Sequence, residues 1–161
     1  MQAYFRTAWY DANPAATSGF PLSELQIAGF KRFSKPSSIF LTAAGGTTFS
    51  SSQTGAPVFS LGGIRALAAY GTNELLNNQY SLFRAGCIRQ LAELPPFMRK
   101  DFDFIAVYEI GKAYGLPNAS RLPTDAVAGI VINTIFGPVL VGGAYGDTGH
   151  HKFFFNLGQI F

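Results

Sequence analysis

The chain has 161 residues and a formal net charge of +3, the size of a single domain, which argues against an enzyme with separate binding and catalytic units. Charged residues make up 13% and aromatics 15%; charge at about half the ~25% usual in soluble domains excludes highly charged disorder. Basic groups are scattered singly apart from Lys31-Arg32 and Arg99-Lys100, so no nucleic-acid partner is expected, because that footprint needs a clustered basic face.

Taken in chain order, Met1 leads into QAYFRTAW, which has neither the basic n-region nor the apolar h-region of a secretory signal. That predicts a cytosolic chain or the tail of something longer. Alternation with period two then places about eight strands at 2–10, 22–33, 37–49, 77–92, 102–114, 124–134, 138–146 and 151–161, with one long loop at about 50–76. No stretch makes a convincing helix of three turns. Residues 36–64 are uncharged but rich in Ser, Thr and Gly and broken by Pro57. Residues 126–146 (AVAGIVINTIFGPVLVGGAYG) are long enough to span a bilayer as a helix. Gly137-Pro138 breaks their centre, however, and Val and Ile fill both arms, which predicts a hairpin. The connections at 33–37, 94–101 and 135–138 are shorter than those at 10–22, 50–76 and 115–124, the alternation by which outer-membrane barrels are built. The connection at 146–150 is short for its side.

Within the strands, charge gathers on one face. Val139, Val141, Gly143 and Tyr145 oppose Leu140, Gly142 and Ala144, and Ala126, Ala128, Ile130 and Ile132 oppose Asp125, Val127 and Gly129. Phe104, Ala106, Tyr108 and Ile110 oppose Asp103, Glu109 and Gly111. Cys87 cannot form an internal disulfide and reads as an inert wall position. Asp147 and His150-His151 invite a metal reading, yet adjacent histidines on a strand point to opposite faces, so no metal site and no cofactor are expected. Gly45-Gly46 and Gly142-Gly143 open no helix and so are not phosphate loops. At the end of the chain, Phe153, Phe155, Leu157 and Phe161 share a face, a longer apolar row than soluble edge strands carry.

Several stretches carry a more specific likeness. GPVLVGGAYGD (137–147) followed by FFFNLGQIF (153–161) resembles the closing hairpin of the bacterial surface antigen barrels, the family of the BamA and TamA type assembly proteins. FSLGGIRALAAYG (59–71) resembles the stretch around that family's long loop, which folds back into the lumen. NNQY (77–80) and RQLAELPP (89–96) resemble the branch in which the barrel follows a patatin-like phospholipase domain. The resemblance implies an antiparallel transmembrane β-barrel segment, the carboxy-terminal half of a sixteen-stranded barrel in the bacterial outer membrane. It implies contact with membrane lipid and with the barrel-assembly machinery, and completion by a missing amino-terminal half or a second copy. The function implied is a membrane anchor or translocation unit for a passenger such as a patatin-like phospholipase. Gly62, Gly63, Arg65, Tyr70 and Gly71 would form the in-folding loop, Glu109 and Gly111 the lumen wall, and Phe153, Phe155, Leu157, Gly158 and Phe161 the carboxy-terminal sorting signal. No GxSxG nucleophile elbow occurs, so lipase chemistry is not expected in this chain.

The loop tip departs from the family, which carries an Arg-Gly pair before its aromatic where this chain has Ala68-Ala69 before Tyr70. Arg65, three residues earlier, is therefore expected to take over and to pair with Glu109. The even strand count also permits a self-contained eight-stranded barrel serving as a small pore or adhesion scaffold. A soluble β-barrel binding an apolar ligand is a third possibility.

Overall fold

The computed structural model describes residues 1–10, 20–49, 59–92, 102–114, 122–134 and 137–158. Ten strands follow one another: β1 (Gln2–Tyr10), β2 (Phe20–Ser34), β3 (Ser37–Thr47), β4 (Phe59–Leu61), β5 (Leu75–Asn77), β6 (Gln79–Ala92), β7 (Phe102–Tyr114), β8 (Thr124–Thr134), β9 (Gly137–Gly146) and β10 (His151–Leu157). The one other regular element among the described residues is a single 3-10 turn, Asp147–Gly149. Eight strands form one antiparallel sheet in the order β1-β2-β3-β6-β7-β8-β9-β10, and β4 pairs with β5 apart from it. The fold is all-β, as the alternation predicts, and the strand bounds agree to within a few residues. The difference lies in the expected loop at 50–76, which holds β4 and all of β5 but Asn77: three residues on each side of this ladder are too few to show a period. The last strand ends at Leu157, and residues 159–161, including Phe161, lie outside the described residues.

Every pair in the sheet joins strands adjacent in it, and β1 and β10 stand at its two edges with no pairing between them. The sheet is therefore not closed into a barrel. Register slips occur between Arg32 and Ser34 and between Gln90 and Ala92, both next to connections on the same side. An extra residue there bends the strand and increases its twist.

The sheet has one covered and one open face. Leu22, Phe40, Leu82, Ile105, Val107, Leu140 and Ala144 are buried on the covered face, together with Leu61, Leu67, Ala68, Ala69 and Tyr70 from the long loop that lies over it. The open face carries Phe5 at 66% exposure, Tyr145 at 68% and Phe153 at 93%, with Leu25, Leu41, Phe83, Tyr108, Val141 and Phe155 also exposed. Two of the most deeply buried side chains are instead charged: Glu109 at 1% exposure and Asp125 at 2%. The face assignments made for β7, β8 and β9 all hold, and the apolar rows are the ones left uncovered.

Candidate functional site

The loop between β4 and β5 is shaped by its own backbone before it meets the sheet. Gly62 and Gly63 adopt φ of 121° and 100°, in the left-handed region open to glycine, and their N–H groups donate to the carbonyls of Ala66 (2.8 Å) and Tyr70 (3.1 Å). Leu67 at the tip also has a positive φ, 54°. That conformation is costly for a side chain with a Cβ and persists where the surroundings over-determine it, here because Leu67 is fully buried.

What the tip meets is a row of charged groups set by strand register. Arg84 of β6 stands directly opposite Glu109 of β7, Glu109 opposite Asp125 of β8, and Asp125 opposite Gly146 of β9. Arg84 Nε lies 2.5 Å from Glu109 Oε1. The Ala68 N–H donates to Glu109 Oε2 at 3.1 Å, and the next N–H, that of Ala69, donates to Asp125 Oδ2 at 2.7 Å. Two consecutive backbone donors thus engage carboxylates on two adjacent strands, and such charge-assisted bonds are roughly twice as strong as neutral ones. Close approach depends on missing side chains. A Cβ on Gly111 would come within 2.9 Å of Leu67 Cδ1, and one on Gly146 within 2.9 Å of Ala69 Cβ.

A second set of contacts fixes the outgoing limb of the loop to the turn between β9 and β10. The Tyr70 hydroxyl donates to Asp147, and its ring stacks on His150 with centroids 4.5 Å apart. Lys152 Nζ donates to the Tyr70 carbonyl at 2.5 Å, His150 Nε2 lies 3.0 Å from Glu74 Oε1, and the Gly71 N–H donates to Glu74. His150 belongs to this polar cluster, whereas His151 opens β10 opposite Tyr145 and its ring nitrogen lies 3.0 Å from the Gly149 carbonyl. Among the described residues no group of three His, Cys, Asp or Glu side chains is placed to hold a metal ion.

The structure brings together Gly62, Gly63, Tyr70, Gly71, Glu109 and Gly111, and corrects the expectation for Arg65. Glu109 is already engaged by Arg84 and by the Ala68 N–H, and Arg65 does not pair with it; Arg65 is exposed and borders two cavities that Arg84 borders as well. A backbone donor, which alanine supplies as well as arginine does, contacts the wall carboxylate at the tip. Sequence reasoning missed Arg84, Asp125 and Lys152 as members of the cluster. Arg84 shares parity with buried Leu82, but only the register of the β6–β7 ladder shows that it faces Glu109. Phe153, Phe155 and Leu157 lie together on the open face, away from this cluster, and the Gly158 N–H donates to the Pro138 carbonyl at 2.9 Å with φ 105°.

No family model, curated protein or solved structure matches this chain.

Proposed function

We propose that the chain is a wall segment of a β-barrel in the bacterial outer membrane, of the surface antigen kind, acting as an anchor or translocation unit for a passenger and carrying no catalysis of its own. The observation that carries this reading is the inverted distribution of side chains. A soluble sheet of this kind shows a polar row opposite its buried apolar one, whereas here Phe5, Val141, Tyr145, Phe153 and Phe155 are exposed together on the open face, and Glu109 and Asp125 are buried among the apolar side chains of the covered face. Bilayer-facing strands show such an apolar outward row, with their charged groups turned inward. The loop lying over the covered face agrees with the in-folding loop of that family, and so does its contact with the Glu109-x-Gly111 element. No helix among the described residues is long and apolar enough to cross a membrane, so any crossing is made by strands.

The open edges of β1 and β10 fit a half of a sixteen-stranded barrel. In lipid each unsatisfied backbone group costs several kcal/mol, so the reading requires further strands from an amino-terminal half or a second copy. An eight-stranded barrel has an interior just wide enough for side chains, and here the covered face already holds a loop with its own ladder. This weighs against the self-contained pore or scaffold. The test is fractionation of a Gram-negative host expressing the chain in its natural context. Recovery in outer membranes, resistant to carbonate washing and released by detergent, is the expected result. Recovery as a monodisperse aqueous protein without detergent would remove the membrane reading.

A further inference from the structure

Arg65 is left without the partner that its position in the loop suggests, and its surroundings give it another use. Two adjoining cavities of about 340 and 580 Å3 lie on the covered face beside the loop, and both are bordered by Gln26, Thr42, Arg65 and Arg84. Among the described residues the larger one has no carboxylate on its wall. The smaller one has Glu24, which accepts the Tyr80 hydroxyl at 2.5 Å and stands opposite Arg6 in the β1–β2 register. Glu109 and Asp125 border neither cavity and accept the N–H groups of Ala68 and Ala69. Among the described residues no carboxylate pairs with Arg65. Two guanidinium groups, a hydroxyl and a carboxamide therefore border one space from the loop and from β2, β3 and β6; Arg84 is paired with Glu109, so the charge without a carboxylate partner is that of Arg65.

We propose that this space is a binding site for a phosphoryl anion, held between Arg65 and Arg84 with Thr42 and Gln26 as further donors. A planar carboxylate is satisfied by two parallel N–H bonds from one guanidinium. Donors arriving from four separate elements suit a tetrahedral oxyanion, whose oxygens point in several directions, and arginine is the side chain of choice for phosphate. The site deepens the barrel reading by giving the lumen an anionic occupant, but it rests on the cavity and its charges and not on membrane insertion.

Titration calorimetry on the full chain in neutral detergent micelles tests it, with inorganic pyrophosphate in one arm and micelles doped with phosphatidic acid in the other. The expected result is saturable binding in at least one arm, weakened tenfold or more by Arg65→Gln and unchanged by Arg89→Gln on the open face. Binding in the first arm alone assigns a soluble phosphate, and binding in the second alone assigns a lipid headgroup. Arg65 is exposed, so its replacement leaves the fold intact, and Thr42→Val provides an independent loss from within the wall. No binding in either arm, equal loss with Arg65→Gln and Arg89→Gln, or no effect of Arg65→Gln would each overturn the site. A chain that fractionates as soluble yet binds pyrophosphate through Arg65 would keep the site and lose the membrane reading. Insertion without binding would do the reverse.

Discussion

Glu109 is the residue on which loop and wall depend together, because it accepts from the Ala68 N–H and pairs with Arg84 at once. Its replacement by alanine leaves a guanidinium that is only 15% exposed without its carboxylate. Removing one partner of a buried pair typically costs about 3–5 kcal/mol, since the remaining charge stays desolvated. Glu109→Ala is therefore expected to lower stability by about that amount, measured by chemical unfolding in micelles. Arg65→Ala, at an exposed position with no ion pair, should fall within ~0.5 kcal/mol of the parent. A large loss at Arg65 with little at Glu109 would restore the pairing that the sequence suggests. That pairing follows from the resemblance, which implies an arginine at the tip and an acidic group on the wall, and Arg65 is the arginine that the sequence displays near the tip. What it does not display is the register that puts Arg84 closer, since the relevant neighbours are 25 and 41 positions apart in the chain.

At the scale of elements, the loop 62–71 and the strands beneath it fit because two wall positions lack a Cβ. Gly111→Val would drive a branched side chain into Leu67, whose Cδ1 already lies 2.9 Å from an ideal Cβ there. A Cβ at Gly29, on β2, would meet nothing within 4 Å. Gly111→Val is thus expected to lift the tip and break the Ala68 and Ala69 bonds, while Gly29→Ala leaves both in place. Trypsin cleavage after Arg65 reads the difference, because proteolysis follows the population of the locally open state. The variant should be cut at least tenfold faster than the parent; equal rates would mean that the loop is held without Leu67. Strands were legible because valine, isoleucine and aromatic residues recur at period two, and Gly137-Pro138 marks a break that no spanning helix would tolerate. The β4–β5 ladder was not, since three residues on each side give no alternation to read. Nor was the second attachment, where Tyr70 meets Asp147 and His150 some 77 and 80 positions along the chain.

For the whole molecule, the question is which solvent the open face meets, and a charge placed there separates the answers. Val141 lies in the middle of β9, half exposed, between Ile130 of β8 and Phe155 of β10 in the register. If that face meets water, arginine at 141 is an ordinary surface substitution, expected within ~0.5 kcal/mol of the parent. If it meets hydrocarbon near the midplane of a barrel wall, the same change costs ~2–4 kcal/mol. Neighbouring Leu140 on the same strand is buried, so the comparison must be made at Val141, where contacts with the rest of the chain are few and the environment decides. Two-state unfolding from lipid vesicles, followed with urea, is expected to place Val141→Arg in the larger range. A loss below 1 kcal/mol would show that the apolar row faces water or a protein partner, and the barrel-wall reading would fall with it.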